Sequence, residues 1–446
     1  MLKIYNTLSG KKESFRKKTI TLYTCGPTVY DYDHLGHAWN YFNSDILRRT
    51  LEYNNYKVKH VMNITDVGHL VSDADTGQDK MEKSAKEKKK SIWKIAEYFT
   101  KIFFENRKKL NILYPHIVSR ATDCIKETQD LIKILIKKGY AYKISDGIYF
   151  NVQKFPKYGK LSGNTLEKLK AGARIDINLE KKHPADFALW KFSPKNEKRQ
   201  MEWDSPWGKG FPGWHMECST IAMKYLGKTI DIHTGGEDNI FPHHESEIAQ
   251  SEAINKKRFV RIWFHTRHLK IEGQKMSKSL KNFITLREIK NPLALRYLFL
   301  TAHYRTPFNY TEKGLKAAES ALKSLYNFFL SLEDSKRINK KYQKQFQTAI
   351  NDDLNMPKAM SIVWKLIKDQ KAKDKKQTLL NFDKVLGLGL KELKIIIPEK
   401  IRKLIKERET QRKEKNWEKA DKLRNQIEKQ GFLIKDTEKG TNISFA

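Results

Sequence analysis

Hydrophobic and polar residues alternate over Thr19–Thr24 (TITLYT), with Ile20 and Leu22 on one face, which predicts a short strand. It runs into Cys25-Gly26-Pro27, a turn signal. After His34-Leu35-Gly36-His37, the residues Ala38, Phe42, Ile46, Leu47 and Leu51 recur at helical spacing until Asn54-Asn55, and a second strand is predicted from Lys57 to Met62. Strand, helix and strand in such short succession form the βαβ unit of an open parallel sheet, which binds ligands beyond the carboxyl ends of its strands.

Ser91 is placed to cap a long helix with Ile92, Ile95, Phe99, Ile102 and Phe103 inward, and a second amphipathic helix is expected from Asp123 to Lys138, with Cys124 a packed thiol. Between Tyr140 and Gln200 the texture changes. Asp146-Gly147, Tyr158-Gly159, Ser162-Gly163 and His183-Pro184 punctuate short strands, as in an insertion between two halves of a sheet. Thr229–His233 is then predicted as a strand, Gly235-Gly236 as the loop after it, and Phe259–His265 as a further strand. HLKIEGQKMSKSLKNF reads as a polar loop holding Lys275, Lys278 and Ser279. From Pro292 to Leu386 the chain reads as helical, and a basic helical tail from Lys400 ends in a strand-like piece at Phe432–Ile434.

At 446 residues the chain has room for two or three domains with a substantial core. No run of eighteen or more apolar residues offers a membrane span, and residues 1–10 lack the pattern of a secretory signal, so neither membrane insertion nor export is expected. Cys25, Cys124 and Cys218 are odd in number and far apart, which suits a reducing, cytoplasmic setting. The formal charge of +35 favours a polyphosphate partner, nucleic acid above all, although the unpatterned KEKKK run at 86–90 shows that part of the excess is compositional.

Candidate chemistry concentrates in Phe211–Gln250. If Pro242 opens a helix, His243 and Glu247 stand one turn apart, and with Cys218 they offer three ligands to a borderline-soft ion such as zinc. The same spacing also serves a solvated ion pair, and a fourth ligand is missing. GxGxxG and GxxxxGK[ST] are absent, which disfavours dinucleotide-binding and P-loop enzymes. HLGH at a helix start instead offers phosphate both N–H groups and imidazoles.

HLGH at 34–37 with KMSKS at 275–279 resembles the HIGH and KMSKS signatures of class I aminoacyl-tRNA synthetases. LYTCGPTVYDYDHLGH, PWGKGFPGWHMECS, DIHTGGEDNIFPHHESEIAQ, KMSKSLKNF and KEKNWEKADKLRNQI narrow the resemblance to the cysteinyl-tRNA synthetases and span nearly the whole chain. The resemblance implies an α/β fold: a class I Rossmann-type parallel-sheet catalytic domain with an insertion, an α-helical tRNA-binding domain and a small anticodon-binding domain. Its implied boundaries are 1–120 and 201–270 for the catalytic halves, 121–200 for the insertion, 271–310 for the KMSKS region, 311–395 for the helical bundle and 396–446 for the anticodon domain.

It also implies a monomer that joins L-cysteine to cysteine tRNA using ATP with Mg²⁺. One zinc ion per chain would be held by Cys25, Cys218, His243 and Glu247, and would bind the substrate thiolate. His34, His37, Lys275 and Lys278 would serve catalysis. Trp214, His233, Gly235, Gly236 and Asp238 would line the adenylate pocket, and Arg412, Trp417 and Asp421 would meet the anticodon, while His244 and Glu245 would support the metal or face solvent. Trp39, Gly68-His69 and Lys281 depart from the family's usual residues, at places expected near the nucleotide pocket. Two other readings are a cysteine ligase with an amino-sugar acceptor, which would lack the basic helical C-terminal third present here, and a non-catalytic tRNA-binding paralogue, which intact signatures argue against.

Overall fold

The computed structural model describes residues 1–70, 79–171, 178–194, 199–276, 282–394, 398–437 and 440–445. Its centre is a parallel sheet of five strands. These are β1 (Thr19–Thr24), β2 (Lys57–Ile64), β3 (Ile117–Arg120), β4 (Ile230–Gly236) and β5 (Val260–Thr266), in spatial order β5-β4-β1-β2-β3. Helix α1 (Leu35–Tyr53) crosses from β1 to β2, α2 (Trp214–Leu226) leads into β4, and α3 (Glu245–Asn255) crosses from β4 to β5. From β1 the chain continues to β2 on one side, while β4 pairs on the other, so the strand order reverses between β1 and β4. Such a switch point opens a crevice beyond the strand ends.

The alternation read from sequence sorts side chains onto two faces. Ile20, Leu22, Ile262 and Phe264 join α1 and the downstream helices in one core, while Tyr23, Val61 and Trp263 join Met216 of α2 and Ile248 of α3 in another. Ser91 Oγ accepts from Lys94 N at the start of the helix Ile92–Lys109, as its position predicts.

Several expectations are corrected. Gly235 and Gly236 are the last residues of β4, held by pairing to His265 and Thr266 of β5, and not a loop. Cys124 ends a tight turn (Ala121–Cys124) ahead of the helix Ile125–Lys137. The segment expected as a polar loop contains strands Leu269–Ile271 and Gln274–Lys275, and the first pairs with Phe308–Tyr310. The lysine run lies at the end of a helix, Lys80–Lys88, capped by Asp79 and closed by Lys89 at φ 50°.

Between Ala141 and Pro212, four antiparallel strands form a separate sheet: Ala141–Ile144, Gly147–Phe150, Phe187–Phe192 and Gly210–Pro212. Helices Glu312–Ser331, Lys340–Asn351, Met356–Lys368 and Lys375–Leu386 follow the parallel sheet. The tail packs helices Glu399–Lys413 and Trp417–Lys429 with the hairpin Phe432–Thr437/Gly440–Phe445 around its own cluster of Ile401, Ile405, Ile427, Phe432 and Ile434. Among the described residues no helix is long and apolar enough to cross a membrane.

Candidate metal centre and active site

At the switch point, Cys25 follows β1, Cys218 faces it from α2, and Glu247 comes from the first turn of α3. His243 comes from Ile240–His244, a wide turn broken by the extended residue Phe241, so the regular helix starts at Glu245 and not at Pro242. The expected one-turn relation survives this shift, with His243 Nε2 3.2 Å from Glu247 Oε1. Cys25 Sγ lies 3.7 Å from Cys218 Sγ and 3.9 Å from Glu247 Oε1, and His243 Nε2 lies 3.4 Å from Cys218 Sγ.

These separations match an ion-binding shell. A tetrahedral ion with sulfur at about 2.3 Å and nitrogen or oxygen at about 2.0–2.1 Å sets two sulfurs about 3.7 Å apart and a nitrogen–oxygen pair about 3.3 Å apart. All four residues are buried. Burial, then the neighbouring Cys218 and Glu247, pushes the Cys25 thiol well up, and burial with nearby imidazoles pushes His243 well down. A bound dication would reverse the first shift, because it favours the thiolate, and would act in the same direction as the second, which already keeps His243 a neutral imidazole with a nitrogen lone pair to offer.

A second grouping, Cys25, His233, His244 and Glu247, is equally compact. It offers one sulfur where the first offers two, and its two imidazoles lie against residues common to both groupings. His233 Nε2 is 3.0 Å from Glu247 Oε2, and His244 links Cys25 (3.3 Å) to His265 (2.8 Å), whose other nitrogen meets Thr7 Oγ1 at 2.7 Å. His215 pairs with His243 Nδ1 at 2.9 Å. These imidazoles suit supports that orient the ligands. His244 and Glu245 are buried and do not face solvent. Glu245 accepts from the backbone N–H groups of Leu161 and Ser162 in the insertion. The side chain that Gly235 lacks would run into the His244 ring, and the space beside Gly236 is taken by the Asp238 carboxylate, which accounts for the glycine pair.

Trp214 extends the site outward. Its ring lies 4.2 Å from that of His243 and stacks on His69 at 4.1 Å. Burial, reinforced by Lys80, keeps His69 neutral, so its Nε2 accepts from Lys80 Nζ (2.6 Å) and its Nδ1–H donates to Thr28 Oγ1 (2.6 Å). Thr28, His69 and Lys80 line a pocket of about 200 Å³ together with His34, His37 and Phe283. His34 caps α1, its Nδ1 accepting from His37 N, and the two imidazoles stack 3.8 Å apart. Gly36 permits this turn, since an added Cβ would come 2.9 Å from the His34 ring and 3.2 Å from Met276 Cε. Thus HLGH meets Met276 of the KMSKS segment directly, and Leu35 N donates to Ile284 O. Lys275 is exposed beside this contact, while Lys278 and Lys281 lie outside the described residues.

Of the other expected site residues, His233 lies beneath Glu247 in the buried cluster, and Asp238 follows the end of β4. Trp39 is not at the nucleotide pocket: it packs in the core against Phe42, Phe299 and Phe308 and donates from Nε1 to Arg267 O. In the tail, Arg412 reaches Asp436 at 2.9 Å and covers the ring of Trp417, which is 55% exposed, and Asp421 is exposed on the same helix as Trp417. Sequence reasoning missed Lys80, Thr28, His215 and His265, whereas it named His244 as a support or solvent-facing residue and His233 as part of the adenylate pocket. The run FPHHES at 241–246 hints at His244, but nothing local marks Lys80.

The tRNA synthetases class I (C) catalytic domain matches residues 11–320, and the cysteinyl-tRNA ligase anticodon binding domain matches residues 397–443. Cysteine–tRNA ligase 1 of Burkholderia lata is 43% identical over 454 residues, covering 99% of this chain and 96% of that protein. The cysteine–tRNA ligase of Chlorobium chlorochromatii is 41% identical over 473 residues, covering 98% of each. A structure of methionyl-tRNA synthetase of Mycobacterium tuberculosis with methionyl-adenylate superposes with a TM-score of 0.56 at 14% identity, covering 83% of this chain and 89% of that one, a likeness of fold alone. With both domains matched and relatives aligned end to end, the chain belongs to the cysteine–tRNA ligase family of class I tRNA synthetases.

Proposed function

We infer that this protein activates L-cysteine with ATP and transfers it to the 3′ end of cysteine tRNA. The observation that carries this reading is the adjacency of two constellations: a buried shell of two thiols, an imidazole and a carboxylate, and, across Trp214 and His69, the pocket of His34 and His37. In the first step a carboxylate oxygen of cysteine attacks the α-phosphorus of ATP and pyrophosphate leaves. In the second a ribose hydroxyl attacks the acyl carbon, its proton is lost and AMP leaves.

His34 and His37 would donate to oxygens that gain charge at the α-phosphorus, and Lys275 with Lys278 would meet the departing pyrophosphate. Desolvation by the surrounding protein pushes His37 toward its neutral form although the residue is exposed where it lines the pocket, so it would act as a fixed donor and not as an acid. Zinc held by Cys25, Cys218, His243 and Glu247 would supply a soft positive charge that favours a thiolate over a hydroxyl, which would let cysteine be chosen over serine. Arg412, Trp417 and Asp421 would provide a cation, a stacking ring and an acceptor for unpaired anticodon bases.

Cysteine-dependent pyrophosphate exchange, followed by charging of cysteine tRNA, tests the activity. Substituting Co²⁺ and titrating with cysteine and then serine tests the metal: thiolate-to-cobalt absorption is expected to grow with cysteine only. An unchanged spectrum, or a Cys25→Ser chain that binds metal and selects cysteine normally, would overturn the assignment.

A further inference from the structure

One turn beyond His37 along α1, Tyr41 begins to line a second cavity, of about 430 Å³, that shares no lining residue with the His34–His37 pocket. Its size lies within the range of small-molecule sites. Met62 of β2, Tyr41, Phe104 and Tyr114 supply apolar wall, with the Phe104 and Tyr114 rings 4.6 Å apart and Tyr114 63% exposed.

Two other lining residues, His60 and Arg107, are each only 4% exposed and each carry a buried polar atom with no partner in the protein, His60 Nδ1 and Arg107 Nε. Buried polar atoms in native proteins are nearly always satisfied, by protein, water or ligand. At the rim, Lys101 and Lys108 outnumber Glu105. Apolar rings, a buried arginine whose Nε–H has no partner in the protein and a positive rim are together complementary to a flat aromatic ring bearing a carboxylate.

Arg107 also joins the cavity to the HLGH turn. One terminal nitrogen bonds the carboxylate of Asp33, the residue before His34, and the other donates to His37 O at 3.4 Å. A ligand in the cavity packs against Arg107 and therefore acts on the group that holds both ends of the turn. We propose that this cavity binds a small aromatic carboxylate, and that its occupancy alters the HLGH turn through Arg107. The proposal is independent of the activity inferred above.

The test uses the full chain with ¹³C-labelled methionine methyls and 2-naphthoate as the probe. The Met62 methyl reports the cavity, and the Met276 methyl, which lies against Gly36, reports the turn. Saturable shifts of both signals are expected, with a Kd of about 1 mM or tighter and direct magnetisation transfer from the naphthoate ring to Met62. Leu113→Trp, which fills the cavity from the half-buried segment after Asn111, should abolish both responses while leaving the remaining methionine signals in place. No saturable Met62 shift, a shift that persists in Leu113→Trp, or equal binding of uncharged 2-naphthamide would overturn the site. A Met62 shift without a Met276 shift would overturn the coupling. Should Leu113→Trp fail to fold, the transfer from probe to Met62 in the unaltered chain decides the matter.

Discussion

Arg107 is the residue on which the HLGH turn rests. Its guanidinium lies over the rings of Tyr41 (5.0 Å) and Phe103 (4.8 Å) while reaching Asp33 and His37 O, so charge, stacking and fork geometry are all in use. Lysine keeps the charge for Asp33 but cannot span to His37. Arg107→Lys is therefore expected to lower kcat of cysteine-dependent exchange by about 10- to 100-fold, because small misplacements of reacting groups cost that much, with KM for cysteine little changed. A merely structural role would leave kcat per folded molecule intact, as judged against circular dichroism and active-site titration. Gly36→Ala tests the same turn from its other side. The new methyl would press on the His34 ring and on Met276 Cε, and since Met276 must move to make room, exchange is expected to fall while metal content per chain stays unchanged. Loss of metal in this variant would mean that the two constellations are not separable.

Among elements, the most strongly specified junction joins α1 to the helix Pro292–Leu300. Asp45 of α1 accepts from Arg49 Nε at 2.8 Å and from Arg296 at 2.7 Å, all three buried, and Arg296 donates onward to Leu386 O and Leu110 O. Asp45→Asn leaves two guanidinium groups undercompensated and is expected to cost about 3–5 kcal/mol in urea denaturation. Burial alone would raise the Asp45 carboxyl, but Arg49 and Arg296 outweigh it and hold it below its ordinary range. With the folded value below the unfolded one, this contribution is complete above the unfolded carboxylate value of about 3.9 and is lost as pH falls through the folded one. Wild type should thus lose more stability than Asp45→Asn on acidification through that window; parallel losses would show that the carboxylate stays unpaired. Periodicity made the elements at such junctions legible, including β1, α1, β2 and β5, because each needs only local spacing. The junctions themselves were not legible, since Asp45 and Arg296 stand 251 residues apart and no local pattern couples them. The same limit explains the metal site. Spacing along one helix suggested His243 and Glu247, but Cys25 lies 193 residues from Cys218 and entered only through resemblance to a family. β4 ran past its expected end because pairing to β5 overrides the turn tendency of a glycine pair.

For the whole molecule, the division of labour between sheet and tail follows from where the cores lie. The sheet buries its faces against α1, α2, α3 and the downstream helices, whereas the tail from Glu399 closes around its own apolar cluster and a carboxylate, Asp436, ringed by Arg408, Arg412 and Arg424. Removing residues from about Lys400 onward should therefore leave cysteine-dependent exchange largely intact while tRNA charging falls steeply. Collapse of exchange as well would place the tail within the catalytic core. Charge sharpens the expectation. A chain of formal charge +35 binds phosphates by releasing counterions, so affinity for cysteine tRNA should fall with salt as a straight line on logarithmic axes. If Arg412 and its neighbours contribute phosphate contacts, the truncated chain should show a shallower slope. If they contact bases alone, affinity should drop with the slope unchanged. Measuring binding of cysteine tRNA to both chains across a salt series separates these outcomes, and an unchanged affinity would remove the tail from tRNA recognition altogether.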